Sequence, residues 1–339
     1  MIDPPSYAHL AALTDKTGLF EHALHDLPRP EHGYCVDDVS RALIVTVREP
    51  AQTPMLARLS ETYLRFLESA LDAQGRSHNR MTPDGAWDDE ADLGDWWGRA
   101  VWAFGVASVH APDVFTRRRA GRAFHRSAIN RSAHQRSMVF ASLGATEVLL
   151  GNPADDVARS LLTAAVEPLL ASRNRSWPWP EARLRYANGA VAEAVIGAGQ
   201  ALEDAAILER GLELLSFLLE IETIGDHLSV TGSSGRERDE VGPLFDQQPI
   251  EVAAIVDACS RAFSATSDPR WLAGVELGFG WFLGNNDSHA VMFDEPTGAG
   301  YDGLEPSGRN DNRGAESTLA ALSTYQQGRR LTALAITGA

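Results

Sequence analysis

Apolar residues recur at steps of three and four along most of the chain, and strand-type alternation is sparse. In residues 37–48 they fall at Val39, Ala42, Leu43, Val45 and Val47, with Arg41 and Arg48 interleaved. The next run, "TPMLARLSETYLRFLESALDA", places Pro54 in a first turn and an apolar face through Leu56, Leu59, Tyr63, Phe66 and Leu67. The alternation repeats. "DWWGRAVWAFGVASV" is followed by "VFTRRRAGRAFHRS", "AHQRSMVFASLGATEVLL" by "PADDVARSLLTAAVEPLLAS", and "NGAVAEAVIGAGQAL" by "DAAILERGLELLSFLLEI". "QQPIEVAAIVDACSRAFSAT" is followed by "PRWLAGVELGFGWFLG", and "RGAESTLAALSTYQQG" by "RRLTALAITG". One member of each pair is rich in small residues and polar at its start, which suits a helix enclosed by protein. The other is amphipathic, which suits a helix with one wet side. Enclosed-type helices begin near 37, 95, 133, 188, 246 and 312. Intervals of roughly 40 to 65 residues approach the period of helical-hairpin arrays. The expectation is an all-α (α/α)6 toroid forming a single domain over 1–339.

The segments entering the enclosed helices are long: 73–94, 172–187, 222–245 and 284–311. Long ordered loops in compact domains usually carry function. Asp84-Gly85 predicts a short hairpin in the first of them. Nearly every enclosed helix starts beside a carboxylate: Asp37 and Asp38, Asp95, Glu181 ahead of Asn188, Asp246, and Asp311 with Glu316. Each alone reads as a helix cap. In a toroid, however, these N-termini gather at one mouth. Trp87, Trp96, Trp97, Trp177, Trp179 and Tyr186 fall in or beside the same loops, whereas Trp102 and Trp281 read as core. Pro178 and Pro180 keep Trp177 and Trp179 off a regular helix. Aromatic faces, carboxylates and amides together suit a sugar. Paired carboxylates suit glycoside cleavage, one protonated as acid and one ionised.

Composition narrows the field. The net charge of −16 argues against nucleic acid and anionic membranes as partners. No apolar run is long enough to span a bilayer, and the N-terminus lacks a signal-peptide pattern, so a cytoplasmic protein is expected. Cys35 and Cys259 are far apart, and no spacing suggests a metal or a disulfide. "NNDSHAVMFDEPTGAGYDG" is polar enough for a Ca²⁺ loop, but Ala290 stands where an EF-hand needs Gly. There is no dinucleotide-binding glycine motif, P-loop or H-E-x-x-H, and no cofactor is expected. Lys16 is the only lysine.

Five motifs, "HGYCVDDVSRAL", "DWWGRAVWAFG", "WPWPEARLRYANG", "FDQQPIEVAAIVDAC" and "TGAGYDGLEPSGRNDNRGAESTLAAL", span about residues 10–328. In this order they resemble a bacterial family of six-hairpin, glycosidase-like (α/α)6 proteins, often encoded beside or fused to glycosyltransferases. The resemblance implies function at Asp37, Asp38 and Arg41; at Asp95, Gly98 and Arg99; and at Trp179, Glu181, Tyr186 and Asn188. It implies the same at Asp246, Gln247, Gln248 and Glu251, and at Asp302, Asn310, Asn312, Glu316 and Ser317. The chain departs from that pattern at Val39, Trp96-Trp97, Pro180 and Asp311.

The resulting expectation is a glycoside hydrolase acting on an oligosaccharide, with a glycosyltransferase as a functional associate. Asp38 and Glu181 form the leading catalytic pair, with Asp246 and Glu316 as substitutes. Asp95, Asn188, Gln247, Gln248 and Asn310 would bind hydroxyls, and Trp87, Trp177 and Trp179 would form platforms. The rivals are a sugar epimerase or isomerase using His32 and His134, a phosphorylase with Arg41 or Arg99 in an anion pocket, and a non-catalytic glycan-binding module.

Overall fold

The enclosed and amphipathic runs of the sequence fold as helices close to their expected starts. The computed structural model describes residues 4–171 and 176–337, and the chain divides into two compact units. The second of these comprises Leu10–Pro168 with Ala201–Asp204. A short α1 (Ala8–Ala12) leads in, followed by the hairpin of β1 (Ala23–Leu24) with β2 (Leu27–Pro28); β3 (Tyr34–Cys35) pairs antiparallel with the sequence-distant β4 (Arg80–Met81). Three helical pairs follow: α2 (Val36–Arg48) with α3 (Pro54–Ala70), α4 (Asp95–His110) with α5 (Val114–Ser127), and α6 (Gln135–Gly151) with α7 (Asp156–Val166). The first members pack in a row, α2 on α4 and α4 on α6.

Burial explains the two helix types. Fourteen of the 17 residues of α6 are buried, against five of the 14 in α5. Small residues let the enclosed helices approach closely. A Cβ on Gly105 would lie 2.4 Å from the Gly144 carbonyl oxygen, and one on Gly98 would lie 2.2 Å from that of Ser137. Asp113 and Asp155 cap α5 and α7, accepting from the Thr116 and Ala158 amides. The expected Asp84-Gly85 turn is present: the Thr82 amide donates to the Ala86 carbonyl, and Gly85 takes a φ of 89°.

The other unit comprises the chain up to His9, Leu169–Gln200 and the chain from Ala205. It carries α8 (Asn188–Ala201), α9 (Ala205–Ile221), α10 (Pro249–Thr266), α11 (Arg270–Phe282) and α12 (Ala315–Thr337). Three small hairpins pair β5 (Thr223–Ile224) with β6 (His227–Leu228), β7 (Phe293–Asp294) with β8 (Ala299–Gly300), and β9 (Leu304–Glu305) with β10 (Gly308–Arg309). Gly199 and Gly211 bring α8 against α9, and Gly189 brings it against α10.

The C-terminal expectation needs correction. "RRLTALAITG" is no separate helix; α12 runs unbroken through Thr337, and Gly338 lies outside the described residues. No Gly or Pro interrupts 329–337, so nothing in the sequence forces a turn. The N-terminal segment meets α12 and the turn before it: Gln326 Nε2 donates to the Tyr7 hydroxyl at 2.7 Å, and His9 Nε2 bonds the Arg313 carbonyl at 2.8 Å. No helix among the described residues is long and apolar enough to cross a membrane.

Candidate functional site

The expected site residues fall into two groups, one in each unit, and Asp38 and Glu181 belong to different units. Asp37, Asp38, Arg41, Trp87, Asp95 and Arg99 belong with Leu10–Pro168. There Asp37 and Asp38 occupy the first turn of α2. The Arg41 guanidinium, one turn on, donates to Asp38 Oδ1 at 2.7 Å, and both side chains are buried. Arg99, one turn into α4, donates from Nη1 to Asp37 Oδ1 at 2.5 Å, and its guanidinium carbon lies 4.1 Å from the Phe140 ring centre. Burial alone would push the Asp37 carboxyl up. The Arg99 and Arg41 charges outweigh it and hold that carboxyl below the usual range. Asp95 Oδ1 accepts the Ser137 hydroxyl at 2.9 Å.

Glu21, Cys35 and Asp38 bring donor atoms within 4.8 Å of one another. An arginine already sits on each carboxylate, Arg80 on Glu21 and Arg41 on Asp38. Burial and the charges of Asp37, Asp38 and Glu21 push the Cys35 thiol well up, so it stays protonated. The group is a closed ion-pair cluster. Trp87 is half-buried, stacked on His78 at 5.1 Å and edge-on to Phe66 at 5.4 Å, so one of its faces is covered.

In the other unit, several expected sugar contacts prove to be internal. Trp179 is 0% exposed, 6.3 Å from the Phe217 ring on α9. Trp177 is 6% exposed, edge-on to the same ring, and its indole donates to the Glu181 carbonyl at 2.7 Å. The two prolines do keep this segment irregular, but it folds inward onto α9, where Arg210 binds the Pro178 carbonyl. Neither indole is a platform. Residues 172–175 of the loop 172–187 lie outside the described residues.

Asn188 is fully buried and exchanges hydrogen bonds with the Arg185 backbone. Glu251 accepts the Ala187 and Asn188 amides at 2.5 and 3.2 Å, capping α8 from α10. Gln247 is also fully buried: its amide donates to Asp287 Oδ2 at 2.6 Å, and its oxygen accepts the Trp281 indole at 3.3 Å. Asp287 in turn bonds His227 at 3.0 Å. Asn188 and Gln247 are therefore scaffold, not hydroxyl binders. Tyr186 is exposed, while Glu181 and Glu316 are half-buried.

Asp246 differs from these. The Gln247 and Leu304 backbones exchange two hydrogen bonds, 3.0 and 2.8 Å, which ties 246–248 to 302–305. That pairing gathers Asp246, Asp302 and Glu305. Gly303, at a φ of 43°, makes room: a Cβ there would lie 2.3 Å from Asp246 Oδ1. Gln248 Nε2 donates to Asp246 Oδ2 at 2.8 Å, and Asp302 Oδ1 accepts the Gly314 amide at 2.9 Å. Asn310 and Asn312 shape the same turn, the Asn310 oxygen accepting the Asn312 amide at 3.0 Å. Among the described residues no cation pairs with Asp246. Partial burial, then the Glu305 charge, push its carboxyl above the usual range; Gln248 opposes this and Asp302 adds to it.

Sequence reasoning missed Glu305 and Glu222. Glu305 stands inside a quoted motif, and the turn residues Pro306, Ser307 and Gly308 signal the hairpin that sets it beside Asp302. Glu222, at the end of α9, is 0% exposed and accepts the Thr231 amide at 3.0 Å. Burial pushes it up to about 7. The Thr231 bonds oppose that shift, Glu251 adds to it, and Arg236 opposes it.

No protein-family model and no curated protein matches the chain. Solved structures do. A cellobiose 2-epimerase from Bacillus thermoamylovorans is 11% identical, with a TM-score of 0.72 over 96% of each chain. A sugar epimerase from a ruminal bacterium is 12% identical, with a TM-score of 0.70 over 94% of this chain and 95% of that one. A glycoside hydrolase family 76 mannosidase from Bacteroides thetaiotaomicron is 9% identical, with a TM-score of 0.66 over 98% of each. The fold of this chain is thus the (α/α)6 toroid fold of six-hairpin, glycosidase-like proteins, as the helical alternation predicts.

Proposed function

We propose that the protein is a glycan-processing enzyme, a glycoside hydrolase acting on an oligosaccharide, with Asp246 as its general acid. The observation behind this reading is the Asp246 carboxyl: solvent-accessible, without a cation, and raised by burial and the neighbouring Glu305. A glycosidase acid must hold its proton at working pH while a second carboxylate stays ionised. Glu181 and Glu316, in the same unit, are the proposed sources of that second carboxylate. Asp302, beside Asp246, accepts the Gly314 amide, and its charge adds to the rise of the Asp246 carboxyl.

Purified protein incubated with a panel of oligosaccharides, with and without phosphate, tests the reading by product analysis. The expected outcome is new reducing ends formed independently of phosphate. Phosphate-dependent products would replace it with a phosphorylase. Arg41 and Arg99 are each engaged with an aspartate, which speaks against their serving an anion pocket.

A second reading, a sugar epimerase, has one observation in its favour. His22 and His32 lie edge to face, 5.0 Å apart, and both rings are partly exposed. An epimerised sugar without chain cleavage is the product that would favour it.

A further inference from the structure

One face of α3 carries the charge pattern of an anion site in an otherwise acidic protein. Arg58, Glu61 and Arg65 stand at i, i+3 and i+7, and the turn holding Lys16 lies against them. Spacing alone predicts that Glu61 neutralises Arg65, four residues on, or Arg58, three residues back. The structure removes Glu61 from that role. Both of its oxygens accept from Arg119 of α5, at 2.7 and 2.9 Å, and Arg119 also binds Glu68 at 2.5 Å. Arg65 donates to the Lys16 carbonyl at 2.5 Å, which orients its guanidinium without cancelling its charge. Among the described residues no carboxylate pairs with Lys16, Arg58 or Arg65. A chain of net charge −16 thus keeps three adjacent cations with no carboxylate bonded to them, one of them its only lysine, while Glu61, also on the groove, shares the Arg119 charge with Glu68.

These cations line a groove of about 850 Å³, within the range of small-molecule sites. Its remaining wall is mixed. Phe66 and Met81 are apolar and nearly buried, and Thr62 and Ser69 bring hydroxyls. Such a groove is larger than a bare phosphate needs, and its wall suits a body that is part apolar and part hydroxylated. We propose that it binds a small phosphorylated sugar of the hexose phosphate class, the phosphate held by Lys16, Arg58 and Arg65. This site lies outside the Asp246 cluster and goes beyond the hydrolase reading.

Calorimetric titration of the whole protein at low ionic strength with glucose 6-phosphate, inorganic phosphate and glucose provides the test. No glycan cleavage is measured, so its outcome is separate from that of the hydrolase assay. The expected order is glucose 6-phosphate tighter than phosphate, with glucose not binding. Lys16→Gln with Arg58→Gln is expected to weaken glucose 6-phosphate at least about tenfold. Both side chains are exposed, so the melting temperature is expected to stay at the wild-type value. Binding unchanged in the double variant would overturn the assignment. So would phosphate binding as tightly as the sugar ester, or no anion binding at all.

Discussion

Asp37-Asp38 at the head of α2 and Asp246 at the head of α10 look alike as sequence, each an acidic start to an enclosed helix. Their surroundings differ. Beside the first pair, two arginines approach from within the same fold, one from the next turn and one from the neighbouring helix; each aspartate has its own guanidinium, and the Asp37 carboxyl is held below the usual range. Beside Asp246 stand the Gln248 amide and two further acids, with no paired cation among the described residues, and its proton is held more tightly. An arginine on a buried carboxylate balances the cost of taking the charge out of water and fixes two helices together. A carboxyl crowded by other acids and left near solvent contributes little to that architecture and is free to exchange a proton.

The sharpest way to break this contrast is Asp246→Asn. Turnover is expected to fall by about 10²- to 10⁴-fold, with a urea midpoint matching wild type. A variant that instead unfolds early would make Asp246 a structural acid like Asp38. The opposite substitution, Arg41→Met, leaves Asp38 buried without its guanidinium. It is expected to cost about 3–5 kcal/mol of stability in urea titrations, and a loss near zero would mean the ion pair is not structural.

Glu222 sharpens the comparison as a third type, buried with no arginine among the described residues bonded to its carboxylate. Its folded-state pKa of about 7 lies above the ordinary 4.5. The native state therefore holds a proton that the unfolded chain has released. Its stabilising contribution is complete below pH 4.5 and is lost as pH rises to about 7, roughly 3 kcal/mol in all. Urea midpoints of Glu222→Gln across that window should decline less steeply than those of wild type; parallel curves would contradict this. The smallest effect belongs to Glu305→Gln. Removing that charge lowers the Asp246 pKa, so the alkaline limb of the pH–rate profile moves to lower pH. A limb that stays in place would detach Glu305 from Asp246.

The fold was legible because the contrast between enclosed and amphipathic helices is written in composition. All six expected enclosed starts lie within three residues of a helix start, at 36, 95, 135, 188, 249 or 315. The site was legible only as a set of acidic helix starts. Which acids carry a cation depends on Arg99 and Arg80, far from Asp37 and Glu21 in sequence. Whether an indole faces solvent depends on what its loop folds against. For Trp179 that partner is Phe217, 38 positions on, and no local pattern announces the contact. Gln247 sits in the expected motif but is consumed by Asp287 and Trp281.

The tryptophans have an optical consequence. Trp87, Trp96, Trp97 and Trp102 belong to one unit, and Trp177, Trp179, Trp271 and Trp281 to the other. Trp97, Trp179, Trp271 and Trp281 are nearly sealed from water, so native emission should be blue-shifted and should move red on unfolding. Replacing Trp97 by phenylalanine quiets a sealed indole in one unit while leaving the three in the other. Fluorescence can then report whether the halves of the chain melt together or one after the other.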